Sequence, residues 1–592
     1  MTSSFPPPPG PGDDGTRPEF LDSSSGASHL PPPPPYPPGG EPKRGGRRRA
    51  VIAGGTALGL VAAAGGAFAV YQLAFATGPQ PAEALPASTV GYVGIDLDPS
   101  GEQQLEAYDV VEDFPSFGGL GIESKDDLRE KFVELVQDEA GLCPDLDFDD
   151  DVKPWLGERF GIAAVDVGAD LAGNDAGIAP VYVVQLDDAD RADDGIGQIK
   201  ACASGSGDPS RSSDEGPGGW AIEGDWAVIA ESTEIAEAVS QAAQDEPLSG
   251  DADFQKWTEA AGDTGFLTAY AAPEAGQLIA DLAGAFGPGQ IECGASSGPF
   301  SADPSADPFA SSCSELSSGL DAQVGEIQEM AESFEGGAMT VRANDGGLEV
   351  EVAASMNLFG LGEMAGSDRG GDGGAPRPDD TAIAMGAGFE DGWFTALVDY
   401  YDSISGGLLD LDDGLELLEQ QTGLSFPDDA ETLAGESAAL AIGGDIDWEA
   451  LETDPAAQPI GVKVKGDTDA ITDITDRLLA DPEIARELDG DLVVSSDDDH
   501  AVAGPSPEWN ERLLQDGRLG DSENYRDVVR ESEKASQVIF VDFNQGDWLA
   551  RAFAADDGDP ELEANVQHLK ALGISSWTED DVAHGVLRVT VD

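Results

Sequence analysis

Apolar and acidic positions exchange at every step in Gly347-Leu348-Glu349-Val350-Glu351-Val352, the period of a strand with one face on a core and the other in water. The same period closes the chain over residues 585–591. Shorter apolar runs bounded by turn residues occur at 90–97, 161–165, 265–270, 382–389, 438–442 and 537–543, and each reads as a further strand. Helical spacing alternates with these runs. Ser124-Lys125-Asp126-Asp127 supplies a cap with an acid three residues on, and Leu128, Phe132, Leu135 and Val136 share one face of the helix that follows.

The pattern occurs twice. Phe148-Asp149-Asp150-Asp151-Val152-Lys153-Pro154-Trp155-Leu156-Gly157-Glu158 aligns without a gap on Phe426-Pro427-Asp428-Asp429-Ala430-Glu431-Thr432-Leu433-Ala434-Gly435-Glu436, and residues 248–254 align likewise on 519–525. The order in each copy is strand, helix, strand, strand, helix, strand, helix and a closing strand pair. Strands and helices without regular β-α alternation predict an α+β fold. The expected architecture is two tandem copies of a mixed, mainly antiparallel sheet-plus-helix unit, over 84–356 and 378–592, joined by a Gly-rich linker at 357–377.

Ahead of the copies, residues 50–76 carry no charge and follow Lys43, Arg44, Arg47, Arg48 and Arg49. A helix of that length spans about 40 Å at ~1.5 Å per residue, enough to cross a bilayer. The expectation is a single-pass transmembrane helix behind a disordered, Pro-rich cytoplasmic tail at 1–49, with the rest of the chain extracellular. Ala74-Phe75-Ala76 has the small-x-small form of a signal-peptidase site, so a cleaved signal peptide is the rival reading, and it exports the same part of the chain. Pro6–Pro9 and Pro31–Pro35 in the tail are polyproline II formers and read as a solvated spacer.

Charge narrows the partners. The chain holds 30 Lys and Arg against 116 Asp and Glu. Six of the bases and five of the acids precede Thr77, which leaves 24 bases and 111 acids, a net charge of −87, beyond it. Such a surface repels nucleic acid and anionic headgroups and calls for counter-cations, as in proteins adapted to a salty or cation-rich exterior.

Leu85-Pro86-Ala87-Ser88-Thr89-Val90-Gly91-Tyr92-Val93-Gly94-Ile95-Asp96-Leu97-Asp98-Pro99, together with Asp151–Arg159 and the basic tail, resembles an actinobacterial membrane-anchored family catalogued as a domain of unknown function, DUF3352. The resemblance covers most of 84–592. It implies a tethered extracytoplasmic domain and supplies no activity, ligand or catalytic residue.

The four cysteines, Cys143, Cys202, Cys293 and Cys313, all lie in the first copy. Closing the Ser-, Pro- and Gly-rich insertion at 287–312 would stabilise by roughly 3 kcal/mol, which makes Cys293–Cys313 the natural disulfide and Cys143–Cys202 its complement, although four cysteines allow three pairings. Their spacing does not chelate a metal, and His500, His568 and His584 are scattered through the other copy. Gly294-Ala295-Ser296-Ser297-Gly298 has the text of a nucleophile elbow but not the strand and helix that lift the serine. Asp150, Asp151 and Glu158 in one copy, and Asp428, Asp429 and Glu436 in the other, are weak Ca²⁺ candidates. Acids at these places more often cap a short helix. Asp497-Asp498-Asp499 and Asp410-x-Asp412-Asp413-Gly414 read as acid turns.

No catalytic site and no cofactor is expected from these residues. The chain reads as a binding or envelope-structural module for a protein or cell-envelope ligand. An exported cation-dependent enzyme, or a sensor signalling to the Pro-rich tail, is the alternative.

Overall fold

The computed structural model describes residues 80–97, 129–130, 147–203, 218–262, 264–276, 333–355, 377–405, 411–480, 492–515, 517–555 and 566–591. All of them belong to the second of two units, Met1–Val61 and Ala62–Asp592, into which the chain divides. Sixteen strands are present: β1 (Thr89–Asp96), β2 (Leu156–Asp166), β3 (Ile178–Leu186), β4 (Gly219–Glu223), β5 (Trp226–Ala230), β6 (Leu267–Ala271), β7 (Gly337–Asn344), β8 (Gly347–Ser355), β9 (Thr381–Gly388), β10 (Ser437–Gly443), β11 (Ile460–Lys465), β12 (Val493–Ser496), β13 (His500–Gly504), β14 (Gln537–Asp542), β15 (Leu569–Glu579) and β16 (Val582–Val591).

These strands form one antiparallel sheet in the order β12-β13-β11-β10-β9-β14-β15-β16-β8-β7-β6-β1-β2-β3-β5-β4. This corrects the expected pair of separate mixed-sheet units. The closing strands β8 and β16 pair with each other, from Gly347↔Thr590 to Ser355↔Val582, so two sets of eight strands share one ladder. Read inward from either edge, the order is the same once eight is added to each strand number of the first set. The physical reason is edge pairing. An unpaired closing strand leaves a row of amides and carbonyls without partners, and each set supplies the other's.

Two-residue turns place the halves in register. Asp345-Gly346 and Asp580-Asp581 both take positive φ, the geometry of a type I′ hairpin. Matching Asp345 to Asp580 offsets the halves by 235 residues, which makes Glu351 equivalent to Val586, and these two residues pair directly across the joint.

One face of the sheet is covered by capped helices. Ser232, Asp251, Ser506 and Ser522 accept amides at the starts of α2 (Thr233–Asp245), α3 (Ala252–Ala260), α8 (Pro507–Leu514) and α9 (Glu523–Val528). Ile235, Val239 and Trp257 pack on Tyr92, Val181, Val183 and Val228. Trp509 and Leu513 pack on Ala441 and Val502, and Tyr525 and Val528 on Ala384, Val538 and Phe540. The remaining helices used below are α1 (Ala189–Ala203), α4 (Trp393–Ser405), α5 (Leu411–Thr422), α6 (Asp428–Ala434) and α7 (Thr468–Leu479).

The other face is apolar as well, contrary to the expected polar, water-facing side. There α1 and the 148–155 turn cover it over Ile95, Phe160, Ala227 and Val341, α7 and Leu433 cover it over Val464 and Ala501, and the part between them is open. Directly opposed residues of an antiparallel pair share a face. One row runs Ala227-Val184-Phe160-Ile95-Leu267-Val341-Val350-Leu587-Ile574-Ile539-Met385-Leu440-Val462-Ala503 without a charged residue. The neighbouring row, through Tyr182, Ile162, Val93, Met339 and Val352, is also uncharged. Tyr182 is 50 % exposed, Ile162 47 %, Met385 43 %, and Val352 and Val462 38 % each. In β8 the alternation is therefore inverted. Glu349, 3 % exposed, points to the helix-covered side, and Val352 to the open side.

The buried glutamate survives because cations surround it. Arg342 Nη2 lies 2.7 Å from Glu349 Oε1, Arg530 Nε 2.9 Å and Arg588 Nη1 3.1 Å from Oε2, and Arg342 also bonds Glu351. Burial works to raise the Glu349 pKa, but the Arg530 hydrogen bond and the three guanidinium charges hold it below the usual carboxylate value. At the equivalent positions of the other half stand Trp577 and His584, stacked 5.1 Å apart.

Among the described residues no helix is long and apolar enough to cross a membrane, so the expected transmembrane helix has no counterpart there. Residues 50–76 lie outside the described set. The expected disulfides Cys293–Cys313 and Cys143–Cys202 each involve residues outside the described set. Cys143, Cys293, Cys313 and the insertion at 287–312 lie outside the described residues, and Cys202 falls in the last turn of α1. The helix expected from Ser124 is described only at Arg129 and Glu130.

Replacing Glu349 with Ala strands two buried guanidinium groups, Arg342 and Arg588, and the half-buried Arg530, and should cost about 3–5 kcal/mol in urea unfolding. His584 gives a pH dependence of definite sign. Burial lowers its pKa below the ordinary 6.5, with Glu351 and Glu579 opposing and Lys534 assisting. The unfolded chain is then protonated first, so stability falls as the pH drops from about 6.5 through the lowered folded value. His584→Gln should remove that component of the urea midpoint's pH dependence.

Candidate functional site

The open face ends in a cleft where β9, β10 and β11 leave the sheet. Phe389 extends the β9 ladder by donating its amide to Glu436 O at 3.0 Å, and the Glu436 amide donates to Lys465 O at 2.8 Å. Gly392, at φ 86°, turns the chain out of the strand and into α4. That turn brings Trp393 back onto Phe389, with ring centres 4.8 Å apart, and the aromatic wall continues through Phe394 to Phe426 at 5.5 and 5.3 Å.

Facing this wall are α6, the start of α7 and the β12–β13 turn. The cavity is about 530 Å³ and carries seven carboxylates, from Glu390, Asp391, Asp428, Glu431, Glu436, Asp467 and Asp499, with Lys465 the one basic residue of the lining. Lys465 Nζ stands 3.7 Å from Glu436 Oε2. Asp467 is engaged as the cap of α7, accepting the Ala470 amide at 3.0 Å. Two polar atoms of the lining residues are buried without a hydrogen-bond partner, Glu431 Oε1 and Trp393 Nε1.

The chemistry of this lining favours a cation. Clustered carboxylates between low-dielectric walls create a strongly negative local potential, and an indole face attracts an ammonium or guanidinium group, most effectively when that group is shed of water. The described residues hold no group of three acids, histidines or cysteines arranged around one ion position. The field and the rings would thus act on a bulky cation, without the converging oxygens that Ca²⁺ takes.

The six acids marked as weak Ca²⁺ candidates are dispersed. In the turn Phe148–Val152, Asp151 Oδ2 accepts the Asp147 amide and Asp147 accepts that of Asp150, so Asp150 and Asp151 belong to a capped turn. Glu158 begins the β2 ladder, its amide donating to Gln185 Oε1. Asp428 and Glu436 line the cleft, whereas Asp429 turns away to accept the Ser425 amide at 2.8 Å and to pair with Arg477 at 3.3 Å. Asp497 accepts the amides of Asp499 and His500 as a turn. Residue 410 lies outside the described set.

The two halves differ here. In the ungapped alignment Glu431 matches Lys153, which reaches Asp149 at 2.9 Å. The first half thus places its own cation where the second half places an orphaned carboxylate. Phe389, Trp393 and Glu431 escape reading by motif, because aromatic and acid positions that meet only across a loop have no spacing signature. The Glu431/Lys153 mismatch was the available signal.

No family model, curated protein or solved structure matches this chain.

With the acids dispersed in this way, Ca²⁺ at constant ionic strength should raise the melting temperature no more than Na⁺ does, in wild type and in Asp150→Asn and Asp428→Asn alike. A Ca²⁺-specific rise that either substitution abolishes would restore the acid pairs as ligands.

Proposed function

We propose that this protein is a binding module, working in cation-rich surroundings, whose cleft between α4 and α6 takes a positively charged organic group such as a substituted ammonium. The observation that carries the reading is the pairing of a Phe389–Trp393 wall with seven carboxylates, one of which, Glu431, has a buried oxygen without a protein partner. The roles divide by chemistry. Trp393 supplies the π-face, Glu431 and Asp428 the opposing charge, and Lys465 holds Glu436 to one side. The resemblance of Leu85–Pro99 and Asp151–Arg159 to a family of unknown function adds no ligand, so the lining alone supports this assignment.

The general acidity supports the medium. With 116 acids against 30 bases, self-repulsion destabilises the folded chain unless counter-ions screen it.

Titration of the full chain with tetramethylammonium chloride, replacing NaCl at constant ionic strength, tests the cleft through the tryptophan fluorescence. Saturable quenching is expected, weakened about 5- to 30-fold by Trp393→Ala, a loss of ~1–2 kcal/mol of cation–π attraction. Glu431→Gln should weaken it comparably. An identical response to Na⁺ and tetramethylammonium would overturn the reading.

A further inference from the structure

The cleft does not stand alone, because the uncharged face of the sheet runs into it. Side chains alternate along β9, so Phe389, Ala387 and Met385 share one face, and Phe389 lines the cleft. Met385 is 43 % exposed about 13 Å from Phe389, at ~3.3 Å per residue over four residues. Its ladder neighbours are Ile539 on one side and Leu440, then Val462, on the other, and Val462 is 38 % exposed. An apolar strip thus leads away from a negative, aromatic-walled pocket.

We infer that the cleft's ligand is a cationic amphiphile, a long-chain amine or ammonium whose head occupies the cleft and whose alkyl chain lies on the strip along β9. The inference rests on the cation reading of the cleft and extends it. Charge complementarity selects the class. An anionic amphiphile is opposed by the carboxylates at the cleft, and a second copy of this chain by a net charge of −86 on each partner. A small polar cation leaves the strip unused. An exposed apolar patch rimmed by charge is the signature of a recognition surface, and here the rim carries one sign at one end.

The open face also explains why the strip is available. Among the described helices, α7 packs over Val464 and Ala501 through Ile471, and Leu433 of α6 joins that cluster. Met385, Leu440 and Val462 are outside it. Tyr401 of α4, the helix that begins at the cleft, and Leu417 and Leu418 of α5 are between 46 and 55 % exposed.

The test uses the full chain and alkyltrimethylammonium chlorides of increasing chain length, tetramethyl to dodecyl, kept below their micelle concentrations. Fluorescence titration reports the head, and the slope of affinity against chain length reports the strip. Affinity is expected to rise about two- to fourfold for each methylene over the first several, the upper figure corresponding to full burial. Met385→Ser and Val462→Ser, at positions exposed enough to tolerate them, are expected to reduce that slope. Dodecyl sulfate and a neutral dodecyl glycoside should bind at least tenfold more weakly. Saturable binding of tetramethylammonium with no dependence on chain length would overturn the amphiphile and leave the cleft reading standing. Chain-length dependence shared equally by sulfate, glycoside and ammonium would mean the face binds apolar chains without the cleft, overturning both assignments of the head. Binding of a basic amphipathic peptide with no binding of any alkylammonium would replace the amphiphile with a protein partner.

Discussion

Because β8 pairs along its full length with β16, hydrogen bonds run unbroken from β12 to β4. That ladder sets two constraints on everything else. The halves cannot twist independently, so a face begun in one half continues into the other. The residues at the joint also have no free edge through which to reach water, and any charge among them must find its partner within the fold. Arg342, Arg530 and Arg588 converging on Glu349 meet that second condition. Removal of any one member changes the balance of the rest, since a buried ion pair costs most when half of it is missing.

The first constraint accounts for where the charge goes. A protein this acidic has ample carboxylates to decorate a solvent-facing sheet, yet both central rows of this face are uncharged across the ladder, in the stretch between the covering helices as well as beneath them. The acids are carried instead by turns, helix starts and strand ends. At one such end, after Gly388, they gather around two aromatic rings. The polarity of the surface is thus segregated, with an apolar plane and a negative terminus, and the segregation has a direction along β9.

Strand positions were legible to within a residue or two where alternation was strict, as at β8, because period 2 is a local property of the chain. The partition of faces was not. Leu348, Glu349 and Val350 show that one side differs from the other, but which side is covered depends on helices placed by residues far away, and here the acids went under α3's end of the sheet. Sheet membership was beyond local reading for the same reason. The repeat in the sequence implied two units, and whether their closing strands meet is decided by hydrogen bonds between residues more than 200 positions apart. The cleft was half legible. Asp428 and Glu436 stood out as charges in a repeated motif, while Trp393 entered only through the turn at Gly392.

The pairing of Glu351 with Val586 has a wider meaning. These are equivalent positions of the two halves, so they mark the point where a rotation exchanging the halves would map the ladder onto itself. Two identical copies of the first half, joined in this register, would set Glu351 against Glu351 on adjoining strands, with like charges opposed at the centre of a closed dimer. Valine at 586 removes that opposition, and the single Glu351 of the joint is met by Arg342, which also holds Glu349. The fused chain can therefore close an edge that an identical pair would hold apart. The asymmetry that relieves the joint is also what allows one half to keep a cation at Lys153 while the other presents the carboxylate of Glu431, so that among the described residues the two halves differ at this place and the sheet has a defined polarity.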